Sequence, residues 1–268
     1  MPQTNTRSHI RKWITRGFLI WATLVMLWLA NSIRTKGVSQ EMLQDSPQVQ
    51  VESDAERLSF LPRNPKSAGI VFLCGSGVAA EAYVPLLRPL AEEGYPVVIE
   101  RLPWRFAPLE SHKRQACVQA WQDLQQPSAK LNHAEKTEHC SWIVSGHSLG
   151  AALACRVVKQ APGEVAAVVL IGTTHPKRDN LSNLQIPVTK IYATQDGVAP
   201  EKRIRQFESF LPAQTRWVKI EGGNHSQFAH YGPQLMDGWA TISREDQQRQ
   251  TRDVLRQSLL LAAKSTVR

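Results

Sequence analysis

Apolar and polar positions along this chain follow two alternating periods. Short apolar runs of four to seven residues read as strands: Val49–Glu52, Gly69–Cys74, Pro96–Glu100, Ser141–Ser145, Val165–Ile171, Val188–Ala193 and Arg216–Ile220. Between them lie longer stretches with helical spacing: Ala80–Glu93, His112–Gln126, Leu149–Gln160, Glu201–Phe210 and Arg244–Ala263. Ser243 and Asp246 form the pattern of a capping box opening the last of these. Alternation of strand and helix predicts a mostly parallel sheet flanked by helices, an α/β fold. Gln122–Lys136 is polar and reads as an exposed excursion between helix and strand. The chain has no internal repeat and no low-complexity segment.

The first 36 residues break the alternation. Phe18–Ala30 is thirteen residues without a charge, and four basic residues precede it. Taken as Trp13–Ile33 the segment has 21 residues, and as a helix it would be roughly 31 Å long, about one hydrocarbon core. It is apolar on all sides, unlike an amphipathic core helix. Arg16 can snorkel to one interface, and Trp13 and Trp28 suit the aromatic belts. Two readings stand. One is an uncleaved membrane anchor. The other is a secretory signal segment cleaved near Ala30-Asn31-Ser32, leaving a secreted domain. Both export the C-terminal domain, and the excess of positive charge before the run favours an N-terminus inside. The organisation expected is thus 1–36 basic N-terminus and membrane anchor or signal segment, 37–48 polar linker, and 49–268 one large α/β domain.

The formal net charge of +9 changes little in this picture. Residues 1–36 hold six basic side chains and no acidic one, so most of the excess belongs to the leader. With no basic–aromatic groove pattern beyond it, nucleic acid is not an expected partner. Cys74, Cys117, Cys140 and Cys155 are dispersed without metal-ligand spacing, so no metal is expected. A Cys117–Cys140 disulfide is open in an oxidising compartment.

The candidate chemistry sits where a strand meets a helix. Gly146-His147-Ser148-Leu149-Gly150 follows the apolar run Trp142–Ser145 and opens the helical stretch Ala151–Lys159. That is the strand–turn–helix setting in which G-x-S-x-G forms a nucleophile elbow. A serine hydroxyl needs a base, and the base needs an orienting acid. In chain order Ser, Asp, His, the residues are Ser148, then Asp196 just past the strand ending at Ala193, then His225 after Gly222-Gly223. Asp179 and His230 are rivals for acid and base, without the same strand-end context. An oxyanion hole also needs backbone amides. Leu149, following the nucleophile, supplies one, and the glycine-rich loop Gly75-Ser76-Gly77 after an early strand supplies the other. Trp104 and Phe106 are candidates for an apolar substrate wall. Arg105 or Lys177 could favour an acidic substrate, and Thr173–Arg178 forms a second wall. No insertion is large enough for an elaborate lid.

From Val49 onward the chain resembles the α/β-hydrolase superfamily, and more narrowly bacterial single-domain hydrolases of the dienelactone-hydrolase-like branch. The matching residues are Gly75–Tyr83 with Pro85, Gly94–Ile99, Leu102-Pro103, Trp142–Gly150, Gln195–Ala199, Gly222–His225 and Ala240–Arg244. The resemblance implies an α/β-hydrolase fold, with Ser148 as nucleophile, Asp196 as acid and His225 as base. Two departures are visible. The early loop is Cys74-Gly75-Ser76 where such hydrolases often have Pro-Gly-Gly, and the elbow ends Gly150-Ala151 where Gly-Gly is common. Dienelactone hydrolases proper use a cysteine nucleophile. Ser148 stands in that place, so their lactone substrate does not carry over.

The activity expected is cleavage of a carboxylic ester through an acyl-enzyme, with a small-molecule acyl substrate and no cofactor. The alternatives are an acyltransferase or thioesterase using the same three residues, or a non-catalytic binding protein on the same fold.

Overall fold

A computed structural model describes residues 6–125 and 140–265. One eight-stranded sheet runs through it: β1 (Val49–Ser53), β2 (Arg57–Pro62), β3 (Ala68–Leu73), β4 (Val97–Glu100), β5 (Ser141–His147), β6 (Ala167–Ile171), β7 (Val188–Ala193) and β8 (Arg216–Ile220). Their spatial order is β1-β2-β4-β3-β5-β6-β7-β8. The strands from β3 to β8 pair in parallel, while β1 and β2 form an antiparallel hairpin that joins the sheet along β4. Every residue of β3, β4, β6 and β7 is buried. A parallel sheet covered on both faces requires such near-continuous apolar strands.

Among the described residues, the α-helices that accompany the sheet are α1 (Thr6–Ser32), α2 (Val84–Glu92), α3 (Glu110–Gln125), α4 (Leu149–Gln160), α5 (Glu201–Arg205) and α6 (Arg244–Ser265). α2 packs with α6 and α3 with α4, and α4 and α6 also lie on β5. The Ser243 hydroxyl accepts the Asp246 amide and donates to its carboxylate, both at 3.0 Å, which caps the start of α6 with the residue pair of the sequence pattern. The Glu201–Phe210 helix is shorter than its spacing suggested: α5 ends at Arg205 and a 3-10 turn follows at Glu208–Phe210. Beyond residue 125 the polar stretch Gln122–Lys136 lies outside the described residues.

Within α1, Ile10–Ser32 is long and apolar enough to cross a membrane, and its most apolar 18-residue window is not buried against the domain. The segment after it is no free tether. Ser32 is buried, its carbonyl accepts the Gly232 amide at 2.8 Å, and the Lys36 amide donates to the His230 carbonyl at 2.9 Å. Arg88 of α2, itself 6% exposed, donates to the carbonyls of Met42 and Gln44 at 2.7 and 2.8 Å. The polar sequence therefore satisfies its backbone on the domain surface.

All four cysteines are free thiols, so Cys117 and Cys140 are not bridged. Burial pushes the Cys117 thiol up to about 11 and Cys155 up to about 12. Lys190 of β7 is a less common occupant of the core. It is fully buried, donates to the His175 carbonyl, and sits 5.6 Å from the Trp217 ring centre. Burial lowers its pKa from 10.5 to about 8. Below 8 the ammonium is charged in both folded and unfolded chains. Between the two values the unfolded chain holds the extra proton, so stability rises with pH there. That rise is expected to reach about 3 kcal/mol, and Lys190→Met is expected to remove it. Urea titrations of both proteins at a series of pH values check the difference.

Candidate active site

Ser148 stands at the turn between β5 and α4, with φ 55° and ψ −116°. Its amide donates to the Ile171 carbonyl at 2.9 Å, which pins the turn to β6. A left-handed φ at a residue with a Cβ is strained, and the surrounding packing has to hold it. The two motif glycines explain how. A Cβ at Gly146 would lie 2.4 Å from the Gly150 carbonyl carbon, and one at Gly150 would lie 2.0 Å from the Leu73 carbonyl oxygen. Only glycine at both positions lets α4 close against β3 and β5. Ser148 is half-buried at the N-terminus of α4, where the helix dipole favours negative charge.

Asp196 and His225 come together at the same edge of the sheet, on the loops after β7 and β8. The His225 Nδ1 lies 2.8 Å from the Asp196 Oδ2, and both side chains are almost completely buried. The other Asp196 oxygen accepts the Val198 and Ala199 amides at 2.9 and 2.6 Å. A carboxylate so held accepts a proton donated by Nδ1, which leaves the His225 Nε2 lone pair free. Nε2 makes no hydrogen bond among the described residues, the Ser148 hydroxyl included. The rivals are elsewhere. Asp179 pairs with Lys159 at 3.5 Å and Arg156 at 3.9 Å on the outer side of α4. The His230 Nδ1 lies 3.1 Å from the Lys36 carbonyl.

Of the amides proposed for the oxyanion, two are engaged. The Gly75 amide donates to the Tyr83 hydroxyl at 2.8 Å, and the Gly77 amide donates to the Arg105 carbonyl at 2.7 Å. The Ser76 and Leu149 amides are the two that these bonds leave over. Tyr83 accepts from Gly75, so its hydroxyl proton is free for the His147 Nδ1, 2.9 Å away. His147 is fully buried, with its ring centre 4.5 Å from that of His225. Burial, with His225 beside it, holds its pKa well below the usual imidazole range, so it is neutral. This Gly75–Tyr83–His147 chain braces the glycine loop against the elbow.

Asp237 was not singled out by the sequence, although it repeats the Asp-Gly pair of Asp196-Gly197. Its carboxylate accepts the His225 and Ser226 amides at 3.0 and 2.8 Å. Backbone meets backbone behind it: a Cβ at Gly197 would lie 2.1 Å from the Met236 carbonyl, and one at Gly238 would lie 2.2 Å from the Gln195 carbonyl. Asp237 thus ties the histidine loop to the acid loop. Replacing it with alanine is expected to lower kcat by about 10²-fold through misplacement of His225, with the fold retained in circular dichroism.

Trp104, Arg105 and Phe106 follow β4 in a turn with φ of 55° at Trp104 and 59° at Arg105. All three are exposed, Trp104 at 80%. Phe106 lies beside the glycine loop, its ring 3.1 Å from where a Cβ at Gly77 would stand. A separate cavity of about 570 Å³ flanks the histidine loop at Asn224 and Ser226 and extends between Trp28, Met236 and Trp239. No cluster of three or more His, Cys, Asp or Glu able to hold a metal occurs among the described residues.

The fold is that of an alpha/beta hydrolase. Residues 69–249 match the alpha/beta hydrolase family, and the chain belongs to it. No curated protein matches the chain. Solved structures share the fold at low identity. TT1662 from Thermus thermophilus is 14% identical with a TM-score of 0.56, over 79% of this chain and 98% of that one. An alpha-beta serine hydrolase homologue from Coxiella burnetii is 14% identical with a TM-score of 0.53, over 81% and 99%. MGS-MChE2, an alpha/beta hydrolase from a sediment metagenome of the Mar Chica lagoon, is 16% identical with a TM-score of 0.52, over 78% and 96%.

Proposed function

We propose that this hydrolase is a serine esterase, resembling the dienelactone-hydrolase-like branch in its motifs but not in its nucleophile. The observation that carries the reading is the 2.8 Å Asp196–His225 bond beside a serine in elbow geometry. The Ser148 hydroxyl attacks the ester carbonyl carbon as His225 Nε2 takes its proton. Asp196 keeps the imidazole in the required tautomer and stabilises the imidazolium. The Ser76 and Leu149 amides hold the oxyanion, aided by the N-terminus of α4. The leaving alkoxide departs as an alcohol with the proton from His225. Water then attacks the acyl-enzyme while giving a proton to Nε2, which passes that proton to the departing Ser148 oxygen as the acid is released. The same steps would serve a thioester, or transfer to an acceptor alcohol in place of water.

α1 acts in this reading as a retained membrane anchor, with the catalytic domain extracytoplasmic. Ser32, the last residue of the apolar span, and Lys36 just after it support retention, since both are bonded into the domain. The test is turnover of soluble p-nitrophenyl acyl esters by the full chain in detergent. Turnover is expected to be lost in His225→Ala and kept in His230→Ala. Loss in His230→Ala alone would move the base assignment to His230.

A further inference from the structure

The apolar helix and the candidate site are not at opposite ends of the molecule. α1 ends at the C-terminal edge of the sheet, beside the Gly75–Gly77 loop and the loop that follows His225. A Cβ at Gly77, in the oxyanion loop, would lie 3.3 Å from Ile33 Cγ2 and 3.1 Å from the Phe106 ring. The Gly232 amide, on the loop after His225, bonds the Ser32 carbonyl. There is no slack between the end of the span and these loops. Whatever surface α1 emerges from lies against them.

The same loops carry an unusual surface. Outside α1, the exposed large apolar side chains among the described residues are Trp104, Phe106, Leu109, Val118, Leu235, Met236, Trp239, Leu260 and Leu261. Six of these nine lie on the two loops 104–109 and 235–239. Trp239 is 89% exposed and Met236 79%. Isolated exposed apolar residues need no explanation, but a cluster beside a site marks a binding surface. Exposed tryptophans next to the end of an apolar helix suit the membrane–water interface. Arg34 and Arg105 are exposed at the same edge, where anionic headgroups would meet them. The cavity between Trp28 of α1 and Trp239 runs from the helix to the residues flanking His225.

We propose that the loops around Ser148 are seated on the bilayer that α1 spans, so that the ester cleaved there is an amphiphile drawn from that bilayer. The inference rests on the serine esterase and retained-anchor readings. Trp104, Phe106, Leu235, Met236 and Trp239 enter the headgroup–acyl boundary, with Arg34 and Arg105 at the level of the phosphates. The polar linkage of an ester held there lies near the level of Ser148.

Tryptophan quenching tests the seating without reference to catalysis. The full chain and Trp239→Phe are placed in discs of phosphatidylcholine and phosphatidylglycerol, with and without bromine on the acyl chains close to the headgroup. The emission that the substitution removes belongs to Trp239. It is expected in plain discs and largely absent in brominated ones. Equal loss of emission in both kinds of disc puts Trp239 in water and overturns the seating.

The substrate half is read with Leu235→Glu/Trp239→Glu, assayed on soluble p-nitrophenyl butyrate and on p-nitrophenyl palmitate carried in the discs. Turnover of the disc-borne ester is expected to fall at least about tenfold, from removing large apolar side chains from the boundary. Turnover of the soluble ester is expected to stay level. A parallel fall on both esters, or on neither, overturns it. Quenching at Trp239 with no turnover of either ester by the unsubstituted chain would retain the seating and reject the esterase reading.

Discussion

Replacing Ser148 with alanine is expected to lower ester turnover by about 10⁴- to 10⁶-fold while leaving the protein folded. The size of the effect follows from the chemistry. Without the hydroxyl there is no acyl-enzyme, and only the oxyanion donors and substrate binding remain to assist water. The fold should not suffer, because α4 and β5 meet through Gly146 and Gly150 and not through the serine side chain. Glycine at the same position adds a second, independent reading. The φ of 55° at Ser148 is strained for any residue with a Cβ, and glycine relieves it. Ser148→Gly is therefore expected to be as inactive as the alanine variant but more stable by about 1 kcal/mol, seen in urea unfolding. A serine with no catalytic role would show the stability gain without the loss of turnover.

Asp196→Asn is the second large effect, a fall in kcat of about 10⁴-fold. Asparagine has nearly the same shape, so the loop should stay closed around the Val198 and Ala199 amides. Its amide group, however, can turn its NH₂ towards His225. Nδ1 then accepts, the proton moves to Nε2, and the imidazole offers a donor where a base is needed. The signature is loss of kcat with little change in KM, measured on the same soluble ester. Asp179→Asn, at the surface pairs with Arg156 and Lys159, should leave both constants unchanged.

Much of this site is legible in the sequence because its signals are local. The elbow is a strand run, two glycines and a helix run within some twenty residues, and the Asp196 and His225 loops each follow an apolar strand directly. What the sequence hides depends on partners far along the chain. β2 escapes detection because Arg57-Leu58-Ser59-Phe60-Leu61-Pro62 is short, begins with a charge and ends in proline. Pairing with β1 and β4 makes it a strand. The polar stretch after α1 carries no periodicity, yet Arg88, more than forty residues away, captures its carbonyls. The oxyanion loop looks uniform as Gly75-Ser76-Gly77. Only the Tyr83 hydroxyl and the Arg105 carbonyl distinguish its amides. Asp237 is likewise recognisable only once its carboxylate is seen on the His225 and Ser226 amides.

The central claim is that His225 and Asp196 make Ser148 a nucleophile, and a fluorophosphonate tests it most directly. The full chain in detergent is treated with the reagent, digested, and the adduct located by peptide mass spectrometry. The account predicts a single phosphonylated serine, Ser148, labelled in the unsubstituted chain and in His230→Ala but not in His225→Ala. A folded chain that takes no label, or one labelled at Ser148 equally well without His225, contradicts it.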